Sequence, residues 1–108
     1  MNKTKIIVVE DNIVYCEYVC NMLSREGYRN MKAYHLSTAK KHLQQATDND
    51  IVVADLRLPD GNSTELLRWI HEKHLNIPFL IMTNYGQVEN AVEAMQLGAA
   101  NYLCKPIQ

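Results

Sequence analysis

The chain has 108 residues, of which 47% are hydrophobic and 21% charged, with a formal net charge of -1. That length suits one domain with a buried core and is too short for two. The composition excludes a disordered chain and a strongly basic, nucleic-acid-coating one, and no apolar run approaches the ~18 residues that span a bilayer. A cytoplasmic protein without direct nucleic-acid or membrane contact is expected. Cys16, Cys20 and Cys104 form an odd set without a secretory context, so free thiols are expected in place of a disulfide framework. Cys16 and Cys20 lie one helical turn apart, but no second ligand pair accompanies them to complete a metal site.

Residues 5–9 are an apolar, β-branched run, the pattern of a strand covered on both faces. Asn12 then caps a helix of about four turns carrying Tyr15, Val19, Met22 and Leu23, which Gly27 ends in the left-handed conformation. A second strand is predicted over 30–34, and a short helix capped by Ser37 with Ala39, Leu43 and Ala46 on one face. The third strand, 51–54, runs into a turn set by Pro59, Asp60 and Gly61, after which Asn62 and Glu65 form a capping pair for a helix carrying Leu66, Leu67 and Ile70. A fourth strand follows over 79–82. Val88, Ala91, Val92 and Met95 then mark an amphipathic helix stopped by Gly98, before a fifth strand over 101–104.

The order βαβαβαβαβ predicts an α/β fold, a doubly wound five-stranded parallel sheet with right-handed crossovers and order 2-1-3-4-5. No repeat, low-complexity tract or linker divides it. Only Ile107 and Gln108 follow Lys105-Pro106, so a last helix is missing from the architecture. Residues 1–108 are therefore expected to be one domain truncated before its final helix, with an apolar sheet face that favours self-association.

Chemistry concentrates at the strand ends. Glu10 and Asp11 end the first strand, Asp55 the third, Thr83 the fourth and Lys105 the fifth, so parallel pairing brings them to one carboxyl edge. Three carboxylates this close repel one another unless a cation compensates, and an all-oxygen donor set suits a hard ion such as Mg²⁺. A metal-screened Asp55 facing the Lys105 ammonium is a place for a phosphoryl group, with Asp55 as nucleophile and Glu10 and Asp11 as metal ligands. The Thr83 hydroxyl can donate to a phosphoryl oxygen, and Tyr102 on the last strand can move into space that Thr83 vacates. A cis Lys105-Pro106 bond would aim the lysine inward.

These motifs resemble the receiver domain of bacterial two-component response regulators: Glu10-Asp11, the segment from Asp55 through Leu58-Pro59-Asp60-Gly61, Met82-Thr83, and Tyr102-Leu103-Cys104-Lys105-Pro106. The resemblance covers the whole chain, and residues 55–61 and 82–106 are most similar to the receivers of nitrogen-regulation-type (NtrC-like) transcriptional activators. It implies a flavodoxin-like fold and a signalling role in place of turnover. Asp55 would accept phosphate from a sensor histidine kinase. Mg²⁺ would be held by Asp11, Asp55 and the backbone carbonyl of Arg57, with Glu10 assisting through water. Thr83, Tyr102 and Lys105 would relay the switch to output domains that control transcription, and homodimers are a further implied partner. Asn84 stands where the family usually has a small residue, which puts the lifetime of the phosphorylated form in question. Asn101 replaces a common Asp before Tyr102.

The plainer readings differ residue by residue. Any single acid at a strand end is better read as a solvated loop charge, and only their register across the sheet reverses that. The Arg57 side chain is read as a surface cation, pointing away if Asp55 points in. His71 and His74 near a helix end are read as favourable dipole partners, and His35 and His42 as surface residues. Tyr15, Tyr18, Tyr28 and Tyr34 are read as packing residues, Trp69 as half-buried, and Tyr85 as a possible member of the switch. The alternative function is a Mg-dependent phosphohydrolase with an aspartate nucleophile, which lacks a substrate cap and a second base. A nucleotide or flavin site is disfavoured by two negative charges where glycines should cradle phosphate.

Overall fold

The computed structural model describes residues 4–83, 92–93 and 95–105. The principal strands are β1 (Lys5–Val9), β2 (Arg29–Ala33), β3 (Ile51–Asp55), β6 (Phe79–Thr83) and β7 (Asn101–Cys104); between β3 and β6 lie two short strands, β4 (Arg57–Leu58) and β5 (Gly61–Asn62). Helices α1 (Ile13–Arg25), α2 (Leu36–Leu43) and α3 (Thr64–Glu72) connect them. The five principal strands form one parallel sheet in the order β2-β1-β3-β6-β7, which is the predicted doubly wound order.

The continuous apolar runs are explained by cover on both faces. Ile7, Val9, Val52, Ala54, Phe79 and Ile81 pack with Leu36, Leu43, Leu66, Leu67 and Ile70, so α2 and α3 close one side. Ile6, Val8, Val53 and Met82 pack with Cys16, Val19 and Cys20 of α1 on the other, with Ile51 and Leu80 only partly buried there.

Helix α1 begins and ends as its sequence predicts. The Asn12 side chain accepts from the backbone N–H of Tyr15 at 3.0 Å, and Gly27 takes a φ of +86° just past the helix. Helix α2 does not. Ser37 lies inside its first turn, His35 occupies the cap position without a side-chain bond, and the cap is supplied from 23 to 24 residues further along. Asp60 accepts from the N–H groups of Leu36 and Ser37 at 2.8 and 3.1 Å. These backbone bonds, against a smaller opposing effect of burial, hold the Asp60 carboxyl below its ordinary range.

Loss of this cap in Asp60→Ala is expected to lower unfolding free energy by about 1 kcal/mol. Because the folded-state pKa is depressed, the contribution is present above the ordinary aspartate value and is lost as pH falls through the lower folded one. Urea denaturation of both proteins at neutral and acidic pH checks this; a difference that does not shrink in acid would refute it.

The segment read as a simple turn is a small antiparallel ladder, with Arg57 opposite Asn62 and Leu58 opposite Gly61. Gly61 has a φ of +146°, and a Cβ there would lie 2.9 Å from both Leu36 Cδ1 and Glu65 Oε1, so the loop is seated tightly on α2 and α3. The predicted Asn62–Glu65 capping pair is only half realised. Asn62 Oδ1 accepts from Thr64 N at 2.9 Å, whereas Ser63 takes the cap position and Glu65 faces Lys40 at 3.9 Å. Val92 and Met95 are helical, but both are exposed, so this part of the apolar stripe is not covered among the described residues. Val88, Ala91, Asn84, Tyr85 and Pro106 lie outside the described residues.

Cys16 and Cys20 are buried free thiols on the sheet-facing side of α1. Burial, reinforced by the neighbouring Cys20, pushes the Cys16 thiol up to about 12, and burial raises Cys20 as well. Native protein is therefore expected to leave both unlabelled by maleimide at pH 7, with rapid labelling in urea, as read by peptide mass mapping. The raised pKa also means that stability falls as pH climbs from the ordinary thiol value toward 12. Native labelling of Cys16 as fast as in urea would refute the burial argument.

Candidate functional site

Parallel register aligns the strand ends that carry the charged residues. Val9 is opposite Ala54, Asp55 opposite Met82, and Thr83 opposite Cys104. Glu10 follows β1 immediately and its N–H continues the ladder by donating to Ala33 O at 2.9 Å. Asp55 is the last residue of β3, and Lys105 follows β7.

Glu10 is 1% exposed, unusual for a carboxylate and explicable only by pairing. Its Oε1 accepts a short hydrogen bond from Lys105 Nζ, and its Oε2 accepts from Asn12 N at 3.1 Å. Lys105 Nζ also donates to Asp55 Oδ2 at 3.1 Å, so one ammonium bridges the ends of β1 and β3. Asp55 Oδ1 accepts from Leu56 N at 2.8 Å. The third acid, Asp11, is exposed at the mouth.

The electrostatics follow from this arrangement. Burial raises the Glu10 carboxyl above its ordinary value, against the lowering effect of the Lys105 hydrogen bond. Burial alone would depress Lys105, but its bond to Glu10 and the charge of Asp55 outweigh burial and hold it above the usual lysine value. Lys105 is thus a permanent cation at neutral pH.

One carboxylate oxygen each from Glu10, Asp11 and Asp55 lies within 4.8 Å of the others. A donor set made wholly of carboxylate oxygens, one buried, one half-buried and one exposed, fits a hard divalent cation that keeps some of its water. No other group of three or more His, Cys, Asp and Glu residues with this spacing occurs among the described residues.

The remaining predicted residues are placed less directly. Thr83 ends β6 in register with Cys104, and Tyr102 lies on β7 with 38% of its surface exposed. Arg57 is exposed in β4, as expected of a surface cation. His71, His74 and His35 are also exposed, whereas His42 is half-buried with its Nε2 3.0 Å from Lys32 O. Trp69 is half-buried, with Lys73 Nζ 5.8 Å from its ring centre. Tyr18 and Tyr28 are exposed at 42% and 38%. Tyr15 packs against the α1-side core cluster, as read for it, and its ring also lies beneath Lys105, with Nζ 4.8 Å from the ring centre. Its position three residues past the Asn12 cap, at the carboxyl edge of the sheet, was the available signal.

Residues 6–108 match the response regulator receiver domain family. Among curated proteins, the chain is 34% identical over 102 residues to the probable transcriptional regulatory protein SilR of Salmonella typhimurium, covering 94% of this chain and 44% of that protein. It is 36% identical over 102 residues to the transcriptional regulatory protein ZraR of Klebsiella oxytoca, covering 94% of this chain and 23% of that protein. The chain therefore spans less than half the length of these relatives.

Among solved structures, FixJ-N superposes with a TM-score of 0.91 at 30% identity, covering all of this chain and 86% of that one. The receiver domain of NtrX from Brucella abortus does so with a TM-score of 0.86 at 27% identity, covering 95% and 87%. With the sheet order, the acidic cluster and the strand-end lysine in place, the match over nearly the whole chain shows that this protein belongs to the response regulator receiver domain family.

Proposed function

We propose that the chain is a phosphoryl-accepting switch, in which Asp55 takes a phosphoryl group from a phosphohistidine of a sensor histidine kinase. The observation that carries this reading is the convergence of Lys105 on both Glu10 and Asp55 at one sheet edge. An Asp55 carboxylate oxygen attacks phosphorus, the P–N bond breaks, and the departing imidazole nitrogen keeps the electron pair and takes up a proton. Glu10, Asp11, Asp55 and the Arg57 carbonyl would hold Mg²⁺, which when bound neutralises charge on the carboxylates and the phosphoryl oxygens. The Lys105 ammonium pairs with a phosphoryl oxygen, which disperses the charge that develops during transfer.

Thr83 and Tyr102 are assigned the switch on the strength of the family resemblance. Thr83 would donate to the phosphoryl group, and Tyr102 would alter the surface at β7. The acyl phosphate decays on its own, so the domain is a signalling element and not a turnover enzyme. Output to transcription would pass through domains outside this chain, consistent with the greater length of the regulatory relatives. The chain itself would contact the kinase, and partner copies through the switch or sheet face, with no direct contact to DNA or membrane, in the cytoplasm. Among the described residues no helix is long and apolar enough to cross a membrane.

Incubation with Mg²⁺ and acetyl phosphate, followed by intact mass spectrometry, tests this. The expected result is a single phosphoryl adduct that requires Mg²⁺ and is absent in Asp55→Asn. An adduct persisting in Asp55→Asn would move the acceptor elsewhere. Steady turnover of a generic phosphate ester would replace the switch with the hydrolase reading.

A further inference from the structure

The Lys105 ammonium makes three contacts: with the buried Glu10, with Asp55, and with the face of Tyr15 at 4.8 Å. The contacts form a closed circuit. Glu10 Oε2 accepts from Asn12 N at 3.1 Å, and Asn12 Oδ1 accepts from Tyr15 N at 3.0 Å. The Tyr15 ring then sits under Lys105, which returns to Glu10. Tyr15 is thereby tied through the first turn of α1 to the same carboxylate that holds Lys105.

We propose that Tyr15 is a positioning residue for phosphoryl transfer, its ring face keeping the Lys105 ammonium at the mouth of the site. The proposal rests on the phosphoacceptor reading above. The physical reason for an aromatic at this place is charge. A carboxylate holding Lys105 competes with an incoming phosphoryl group for the ammonium and repels it, whereas an aromatic face attracts a cation through its quadrupole and carries no net charge. Glu10, buried and close to Lys105, would by itself draw the ammonium inward, away from the exposed end where a donor arrives. Tyr15 on α1 is half-buried where Glu10 is 1% exposed, so its ring offers a second, uncharged attraction nearer the surface. The sequence assigns this ring to packing, a role it keeps, and the family motifs do not include it.

The test compares wild type, Tyr15→Phe and Tyr15→Leu, each first shown to fold by far-ultraviolet circular dichroism. Phosphoryl uptake from acetyl phosphate is followed at varied Mg²⁺, beside the proton chemical shifts of the Lys105 ε-methylene. Tyr15→Leu, which keeps apolar bulk but removes the ring, is expected to lower the maximal uptake rate roughly three- to tenfold without moving half-saturating Mg²⁺. Tyr15→Phe restores the rate relative to Tyr15→Leu. The ε-methylene protons are expected upfield in wild type and Tyr15→Phe, from the ring current, and at ordinary positions in Tyr15→Leu.

Equal uptake by wild type and Tyr15→Leu would overturn the proposal, as would a Phe variant as slow as the Leu variant. Absence of the upfield shift in wild type would also overturn it, whether or not the Leu variant folds. A wild type that shows the shift but takes up no phosphoryl group would refute the phosphoacceptor reading while leaving the Tyr15–Lys105 contact standing.

Discussion

Phe79→Ala is expected to cost about 3–5 kcal/mol of unfolding free energy, a large part of the ~5–15 kcal/mol typical of a domain. Phe79 is 1% exposed and belongs to the larger of the two core clusters, together with Leu66, Leu67 and Ile70 of α3. Its backbone is committed as well. Phe79 pairs with Val52 of β3, and its carbonyl accepts from Ala100 N at 2.8 Å, which sets the chain entering β7. Neither strand can follow a truncated side chain inward without breaking register, so the void stays open and the full cavity penalty applies. Urea denaturation should show a lower midpoint with an unchanged slope. A loss below about 1 kcal/mol would mean that α3 collapses into the space, contrary to this description.

Lys105→Met should rank second, and its signature is rescue. With the ammonium gone, the buried Glu10 carboxylate keeps only the Asn12 N–H and faces Asp55 without an intervening cation. Removing one member of a buried ion pair costs about 3–5 kcal/mol, because the remaining charge is stranded. The Lys105→Met/Glu10→Gln double variant should recover most of that loss, since an uncharged amide can stay buried with the same backbone partner. Phosphoryl uptake should be impaired in both, because neither has a cation to pair with the phosphoryl oxygens. A double variant no more stable than Lys105→Met would show that the loss comes from packing of the lysine stem and not from the charge.

Legibility followed the range of the interaction. Parallel strands buried on both faces must be almost continuously apolar, so β1, β3 and β6 stand out from their neighbours, and the residue after each run falls at one edge by topology alone. That logic brings Glu10, Asp11, Asp55 and Lys105 together from the sequence alone. Caps that a helix takes from its own first turn, such as Asn12 on α1, are equally local. Asp60 is different, because nothing near Leu36 in sequence shows that the missing cap lies in the loop after Asp55. Without that information Ser37 is the better local candidate. The β4–β5 ladder and the placement of Tyr15 under Lys105 were hidden for the same reason, as each depends on which segments meet in space.

The Asp60 bridge has a mechanical meaning. The loop that begins at the proposed phosphoacceptor is also the lid on the positive end of α2, so the two cannot move independently at no cost. A shift of residues 55–62 either drags the first turn of α2 along or leaves the N–H groups of Leu36 and Ser37 to be satisfied by solvent. An event at Asp55 therefore has a built-in lever onto the opposite side of the sheet from α1, reaching a helix that lies far from the β6–β7 edge.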